Sequence, residues 1–381
     1  MARFSKASIV EKIKQPTSTK LSFLELTAED WLAFALSCGE KKFRGEQIQI
    51  WIKQKFISDP NSMSNLGKNL QQKLLEHFDW SLPEIVDSLA SEDGSSKLLF
   101  KNAFGQKYES VILRYENRIS LCVSSQVGCK LACTFCQTGK LGFFKNLTVG
   151  EILGQYFVAS QIVRKLAAST ENTQNRISHV VFMGMGEPLD NYTNVIKTLQ
   201  MLVSKNEFGL SWRHVTISTS GIAAKIPELA KDVRVSLAVS LHAPRDELRS
   251  ELMPINRKFP LEILKDSLSQ YQQTTGDIIT FEYILIKDKN CGIREAKELV
   301  GFLHGLKSKV NLIPFNAHPG LPHERPSAEE IRTFQKYLAD RHIPAPVRYS
   351  KGLDVSAACG QLAAKTEESL TDAPLRRNVV T

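Results

Sequence analysis

Six short apolar runs, at residues 119–123, 179–183, 214–219, 235–240, 279–286 and 310–313, alternate with stretches patterned as helices. This alternation constrains the fold more than any other feature. A strand, a crossover helix and a second parallel strand connect in one hand, so the repeated pattern builds a parallel sheet with helices packed outside it. Helices are read at 149–166, 192–203, 261–272 and 294–306, where apolar residues recur every three to four positions. The expected class is therefore α/β, a partial (β/α)6 barrel two units short of the eight that close a full one. In such barrels the reacting groups lie on loops at the C-terminal ends of the strands.

Residues 22–80 are patterned differently, with Trp31, Phe34, Ala35, Ile48, Trp51, Ile52, Leu70, Leu74 and Leu75 at helical intervals. The expected organisation is a helical accessory domain over 1–95, a β-hairpin connector over 96–118 turning at Gly105, the barrel over 119–350, and a C-terminal segment over 351–381 with a loosely ordered tail. A chain of 381 residues has room for one large domain and a small one. Lys and Arg number 49 against 40 Asp and Glu, a net charge of +9 that favours a polyanion such as RNA. The run Lys41-Lys42-Phe43-Arg44-Gly45 could meet a phosphate backbone or simply be a solvated helix start. Seven cysteines, an odd number with three clustered, do not form the framework of a secreted domain. The opening residues lack the apolar core of a signal peptide, and no apolar stretch is long enough to span a bilayer. The expected setting is the reducing cytoplasm, with no membrane partner.

Directly after the first strand run comes Cys129-Lys-Leu-Ala-Cys133-Thr-Phe-Cys136. A shuffled chain of this composition would show the spacing roughly 0.002 times, so it is not chance. Three thiolates so placed can hold three irons of a [4Fe-4S] cluster and leave the fourth open for a ligand. The rival reading is a zinc knot; zinc takes four ligands, and no nearby His or Cys at finger spacing completes the set. Phe135, Phe143 and Phe144 are expected to shield the cluster. Other strand ends also carry small or polar groups. Met183-Gly184-Met185-Gly186-Glu187-Pro188 ends the second, Ser218-Thr219-Ser220-Gly221 the third, and Ser240-Leu241-His242-Ala243 the fourth. Asn316 follows the last. The glycine pair allows a ligand close to the backbone, and Glu187 can accept from an ammonium group.

The cysteine loop with its six-unit pattern resembles the radical S-adenosylmethionine superfamily. Adding Cys122, Cys359, Leu252-Met253-Pro254-Ile255-Asn256 and Phe281-Glu282-Tyr283, the chain from about Arg44 to Gln361 closely resembles the RlmN/Cfr family of RNA adenine methyltransferases within it. The resemblance implies a [4Fe-4S] cluster on Cys129, Cys133 and Cys136, and S-adenosylmethionine held by Gly186, Glu187, Ser218, Ser240, Leu241, His242 and Asn316. It implies that Cys359 carries a methyl group as S-methylcysteine, that Glu109 removes the C2 proton of adenine, and that Cys122 resolves a covalent protein–RNA adduct through a transient disulfide. Two molecules of S-adenosylmethionine would be used per turnover, on adenine 2503 of 23S rRNA and adenine 37 of some tRNAs. A flavodoxin- or ferredoxin-type donor would supply electrons to a monomeric enzyme. The motifs at Met183 to Pro188 and Asn311 to Pro314 look more like the C2-methylating branch than the branch that methylates adenine C8. Two other classes compete: a noncatalytic RNA-binding protein with a structural metal, and a radical enzyme that activates a protein.

Overall fold

The computed structural model describes residues 20–169, 174–316 and 321–362. Nine strands form its central sheet: β1 Glu84–Ala90, β2 Ser96–Lys101, β3 Lys107–Tyr115, β4 Arg118–Cys122, β5 Ile177–Phe182, β6 Val215–Thr219, β7 Ser236–Ser240, β8 Ile279–Leu285 and β9 Ser308–Pro314. Their order in the sheet follows their order in the chain. Strands β4 to β9 pair parallel throughout, which is the six-stranded open barrel that the alternating pattern predicts. Strands β1 to β4 pair antiparallel and extend the sheet beyond β4.

The helical pattern thus ends earlier than residue 95. Trp80 closes it, and Glu84–Ala90 is a strand paired with the hairpin. Its burial is nearly all exposed, so it lacks the alternation that marks a half-buried strand.

The helix Val149–Ala168 links β4 to β5 and starts where Thr148 and Glu151 form a reciprocal cap. Its apolar face seats the N-terminal helices. The Phe157 ring meets Phe23 edge-on at 5.5 Å and Phe56 at 5.3 Å, and Phe23 stacks on Trp80 at 4.7 Å. Gly154 must be glycine, because a Cβ there would lie 2.5 Å from Pro83. A buried Lys53–Glu207 pair at 3.2 Å joins the helical unit to the loop after Tyr192–Val203. Burial lowers the Lys53 pKa, and Glu207 opposes that shift. Losing either partner would strand a buried charge.

The chain after β9 returns to the sheet as an arm. Val310 and Leu312 donate to the carbonyls of Pro344 and Pro346, and Arg348 donates back to Leu312, so residues 344–348 line the outer edge of β9. The arm then reaches the turn between β1 and β2 at the other end of the sheet. There Ser91 Oγ and the Glu92 amide donate to the Asp354 carboxylate, and the Gly352 amide donates to Asp93. Among the described residues no helix is long and apolar enough to cross a membrane. The tail expected to be loosely ordered lies, from residue 363 on, outside the described residues.

Candidate active site at the barrel mouth

Alternation along the strands decides what faces the barrel interior. Cys122 on β4 is in register with Val111 on β3, which is in register with Lys97 on β2. Glu109, two residues before Val111, shares that face. The sheet therefore presents Glu109 and Cys122 on one face. Glu109 is 4% exposed, and its carboxylate lies 3.3 Å from the Lys97 ammonium.

Just beyond β4 the backbone is fixed by one side chain from the crossover helix. Gln155, fully buried, accepts from the Ser124 amide and donates to the Ser124 carbonyl. Ser124 Oγ donates to the Glu109 carbonyl and accepts from the Met185 amide, tying β3, β4 and the Met183–Pro188 loop into one unit. Gly184 packs on Ser124 and Val123, where a Cβ would come within 2.7 Å. Gly186 has φ +96° and lies against Gln126. Both glycines are thus required by the close packing of this loop on residues 123–126 of the chain itself. Glu187 is buried, and its two carboxylate oxygens accept from the Leu189 and Ser220 amides. Burial raises its pKa, while the Ser220 amide and Thr219 hydroxyl pull it back. Its carboxylate already braces the ends of β5 and β6.

The loop of Cys129, Cys133 and Cys136 covers a small apolar cluster formed by Leu131, Leu252, Met253, Ile255, Ile284 and Phe315, with Phe135 against it. Burial pushes the Cys129 thiol to about 12 and raises those of Cys133 and Cys136. A metal must therefore displace their protons. Among the described residues no three His, Cys, Asp or Glu side chains converge as a single ion would need. An iron–sulfur cube takes each thiolate on a separate iron, so this loop fits a cluster better than zinc. The expected shield is corrected in part: Phe135 packs inward, edge-on to His242 at 4.7 Å, but Phe143 and Phe144 are each 42% exposed on the hairpin beside the loop.

Arg249 is the residue that sequence reading missed. It lies fully buried on the helix Asp246–Leu252 and donates to the carbonyls of Ser220, Ser240 and Leu241 and to Asn256 Oδ1. One guanidinium thereby locks the ends of β6 and β7 to the Leu252-to-Asn256 segment. Burial lowers its pKa to about 10, with Cys133 and Asp246 opposing the shift. Its charge thus sits near the thiols. In the sequence it reads as one more charge in Asp-Glu-Leu-Arg-Ser-Glu, and nothing marks it as interior.

His242 is buried with φ +58°, a left-handed conformation held by Asn290, whose amide group donates to the carbonyls of His242 and Ile284. The Ile284 amide donates to His242 Nδ1 at 3.0 Å, which puts the ring proton on Nε2. Burial, with Arg249 nearby, drops its pKa to about 3, so the ring is neutral. Ser218 and Ser240 lie at the ends of β6 and β7 on the interior face, and Asn316, just past β9, donates to Ser350 Oγ at 2.8 Å.

Cys359 arrives on the arm. The Gln137 amide donates to the Gly360 carbonyl and Thr138 Oγ1 to the Leu362 carbonyl, docking the arm on the cysteine loop. Cys359 is exposed at the surface of the arm, and surrounding protein raises its thiol pKa. Burial first, and then the charge of Cys359, raises the pKa of Cys122 far above the ordinary thiol value. Cys122 and Cys359, 237 positions apart in sequence, thus lie near enough for the charge of one to act on the other. All seven cysteines are free thiols, so the expected disulfide is not formed in this structure.

The comparisons agree with this geometry. Residues 123–300 match the radical SAM superfamily and residues 21–79 match the ribosomal RNA large subunit methyltransferase N-terminal domain. A dual-specificity RNA methyltransferase RlmN of Pseudomonas putida is 42% identical over 92% of both chains. That of Francisella tularensis is 42% identical over 90% of this chain and 93% of its own, and that of Pseudomonas fluorescens 43% identical over 91% of each. A crystal structure of a radical SAM methyltransferase from Sphaerobacter thermophilus superposes with a TM-score of 0.84 at 39% identity, covering 91% of this chain and all of that one. With its cysteine loop, paired thiols and two matched domains, the chain belongs to the RlmN family of radical SAM RNA methyltransferases.

Proposed function

We propose that this enzyme methylates C2 of adenine in two kinds of RNA, adenine 2503 of 23S rRNA and adenine 37 of some tRNAs, consuming two molecules of S-adenosylmethionine per turnover. The observation that carries this reading is a pair of thiols outside the cysteine loop: Cys122 on the interior face that also bears Glu109, and Cys359 on an arm docked against that loop. A single polar methyl transfer needs no such pair. A carbon acceptor as electron-poor as adenine C2 needs a carbon radical carried by the protein.

Cys359 takes a methyl group onto its sulfur. Cys129, Cys133 and Cys136 would hold a cluster that, when bound, would supply the electron for cleaving a second S-adenosylmethionine and so the radical that takes a hydrogen atom from the S-methyl group. The methylene carbon on Cys359 bonds to C2, and Glu109 takes the C2 proton; the unpaired electron left on the base would return to the bound cluster. The Cys122 thiolate bonds to the Cys359 sulfur, the S–CH2 bond breaks with its electron pair going to the carbon, which takes a proton to become the methyl group, and a Cys122–Cys359 disulfide is left to be reduced. The mouth residues Gly186, Glu187, Ser218, Ser240, Leu241, His242 and Asn316 hold the cosubstrate, with neutral His242 offering its Nε2 proton. The N-terminal helices hold folded RNA. Arg44 there is tied to Gln47 and the Asn65 carbonyl, which leaves Lys41, Lys42 and exposed Phe43 for the contact. The enzyme works as a monomer in the cytoplasm, with a flavodoxin- or ferredoxin-type protein as electron donor.

The test is anaerobic turnover of reconstituted enzyme on rRNA and tRNA fragments with nucleoside mass spectrometry. The expected product is 2-methyladenosine; 8-methyladenosine, or no methylated adenine, overturns the reading.

A further inference from the structure

Three phenylalanine rings stand exposed at the barrel mouth, two of them the rings expected to cover the cluster. Strand β3 runs against β4 with Val111 opposite Cys122, so the turn between β2 and β3, residues 102–106, projects past the C-terminal end of β4. Phe104 tops that turn and is 80% exposed. The turn keeps its shape without the ring: Asn102, buried, accepts on Oδ1 from the Phe104 and Gln106 amides at 3.0 Å, and Gly105 has φ +78°.

Phe143 and Phe144 lie on the short strand Phe143–Asn146, which pairs with Gln126–Gly128 just ahead of Cys129. A register shift between Val127 and Gly128 interrupts the alternation that would turn one ring inward, and both stay exposed. This hairpin is tied down as well. The Cys129 amide donates to the Gly142 carbonyl at 2.8 Å, and Gln126 Nε2 donates to Asn146 Oδ1 and to the Asp190 carboxylate. One cation joins the two sets of rings, because Lys145, next after Phe144, places its ammonium 5.1 Å from the centre of the Phe104 ring. Lys130 lies 5.9 Å from that of Phe143. Each lysine pairs with a carboxylate less exposed than itself, Glu151 and Asp190, so the positive member of each pair is the outer one.

Fixed aromatic rings with cations beside them complement an opened nucleic-acid strand, whose bases offer flat faces and whose phosphates offer negative charge. Glu109 is the third residue of the strand that leaves the Phe104 turn, so the rings adjoin the chemistry. We propose that Phe104, Phe143 and Phe144 form a stacking platform for unpaired bases flanking the reacting adenine, with Lys130 and Lys145 facing the phosphates, an inference that rests on the adenine methylation proposed above. The N-terminal helices hold the folded part of the RNA and this rim its opened loop. A base that reacts must leave its stack, and rings that receive its neighbours offset part of that cost.

An acidic electron-donor protein is the other partner that two lysines beside the cysteine loop would attract, and the experiment separates the two. Full-length reconstituted enzyme is assayed anaerobically, with dithionite as reductant, on an RNA hairpin whose unpaired loop carries the target adenine; binding is compared with that of a fully paired RNA duplex. Phe104→Leu keeps an apolar side chain but loses the ring. It should raise the KM for the hairpin about tenfold, with kcat, iron content and duplex affinity unchanged, and Phe144→Leu should act in the same direction. Phe104→Trp should keep the wild-type KM, and its added fluorescence should be quenched by the hairpin but not by the duplex. Leucine variants with a wild-type KM, or with equal losses on hairpin and duplex, overturn the platform. Leucine variants normal with dithionite but slow with a flavodoxin-type donor assign the surface to that donor and overturn it too. A wild type that leaves the hairpin unmethylated removes the methylation reading, and the fluorescence of Phe104→Trp then still decides whether the rim stacks on RNA.

Discussion

Cys122 and Cys359 come from regions built in contrasting ways. Cys122 closes a strand bonded on both sides, behind a loop fixed by the fully buried Gln155 and Ser124, and the neighbouring strand ends are locked by buried Arg249. Cys359 lies on an arm without regular secondary structure, held by separate contacts: Asn316 to Ser350, Ser91 to Asp354, Asp93 to Gly352 and Gln137 to Gly360. The mouth can only fail as a whole, whereas the arm can be released one contact at a time. Such a division suits the carrier role proposed for Cys359.

The strongest break in that comparison is at the loop both regions touch. Cys133→Ala should abolish product and lower bound iron, measured by iron content and nucleoside mass spectrometry; full activity with the iron retained would remove Cys133 from the ligand set. Next, Cys359→Ala and Cys122→Ala should both stop turnover but differ in what accumulates. Only the Cys122 variant should trap a protein–RNA crosslink, visible on a denaturing gel. Within the mouth, Arg249→Ala removes the guanidinium that donates to the Ser220, Ser240 and Leu241 carbonyls and to Asn256 Oδ1. It should cost about 3 kcal/mol in urea unfolding.

Acid should loosen the arm before the mouth. Burial pushes the Asp93 carboxyl up, but hydrogen bonds from Ser95, Gly352 and Ser91 outweigh it and bring the pKa from 3.8 to about 2. Asp354 is lowered by Ser91 and Glu92. A depressed carboxyl contributes fully above its unfolded value and fades as pH falls through the folded one. Amide exchange in residues 351–356 should therefore rise as pH drops from about 4 toward 2, ahead of exchange in β4. Smallest of all, Thr148→Ala removes a helix cap remote from the arm and should cost about 1 kcal/mol in urea unfolding without altering product yield.

The sequence pattern made the parallel strands and their long crossover helices legible because burial on both faces leaves continuous apolar runs. It was silent where tertiary contacts decide. The short helices Ile226–Asp232 and Asp246–Leu252 and the longer Ala328–Ala339 were not read, since two are only seven residues long and the third is largely polar. Cysteine spacing singled out the loop of Cys129, Cys133 and Cys136, and the strand-end motifs singled out Gly186, Ser218 and Ser240, as candidates. Arg249 stayed hidden because in the sequence it looks like a surface charge. Phe143 and Phe144 show the converse error, in which aromatic residues beside a motif are taken for its cover.

The run of residues 344–348 along β9 has a consequence for how the protein behaves at high concentration. An open sheet offers bare amide and carbonyl groups at its margin, a template on which another chain can add itself and begin a fibril. By occupying that margin with its own backbone, two prolines included, the polypeptide denies a stranger the place. The segment that leads to Cys359 thus also closes the open margin of β9.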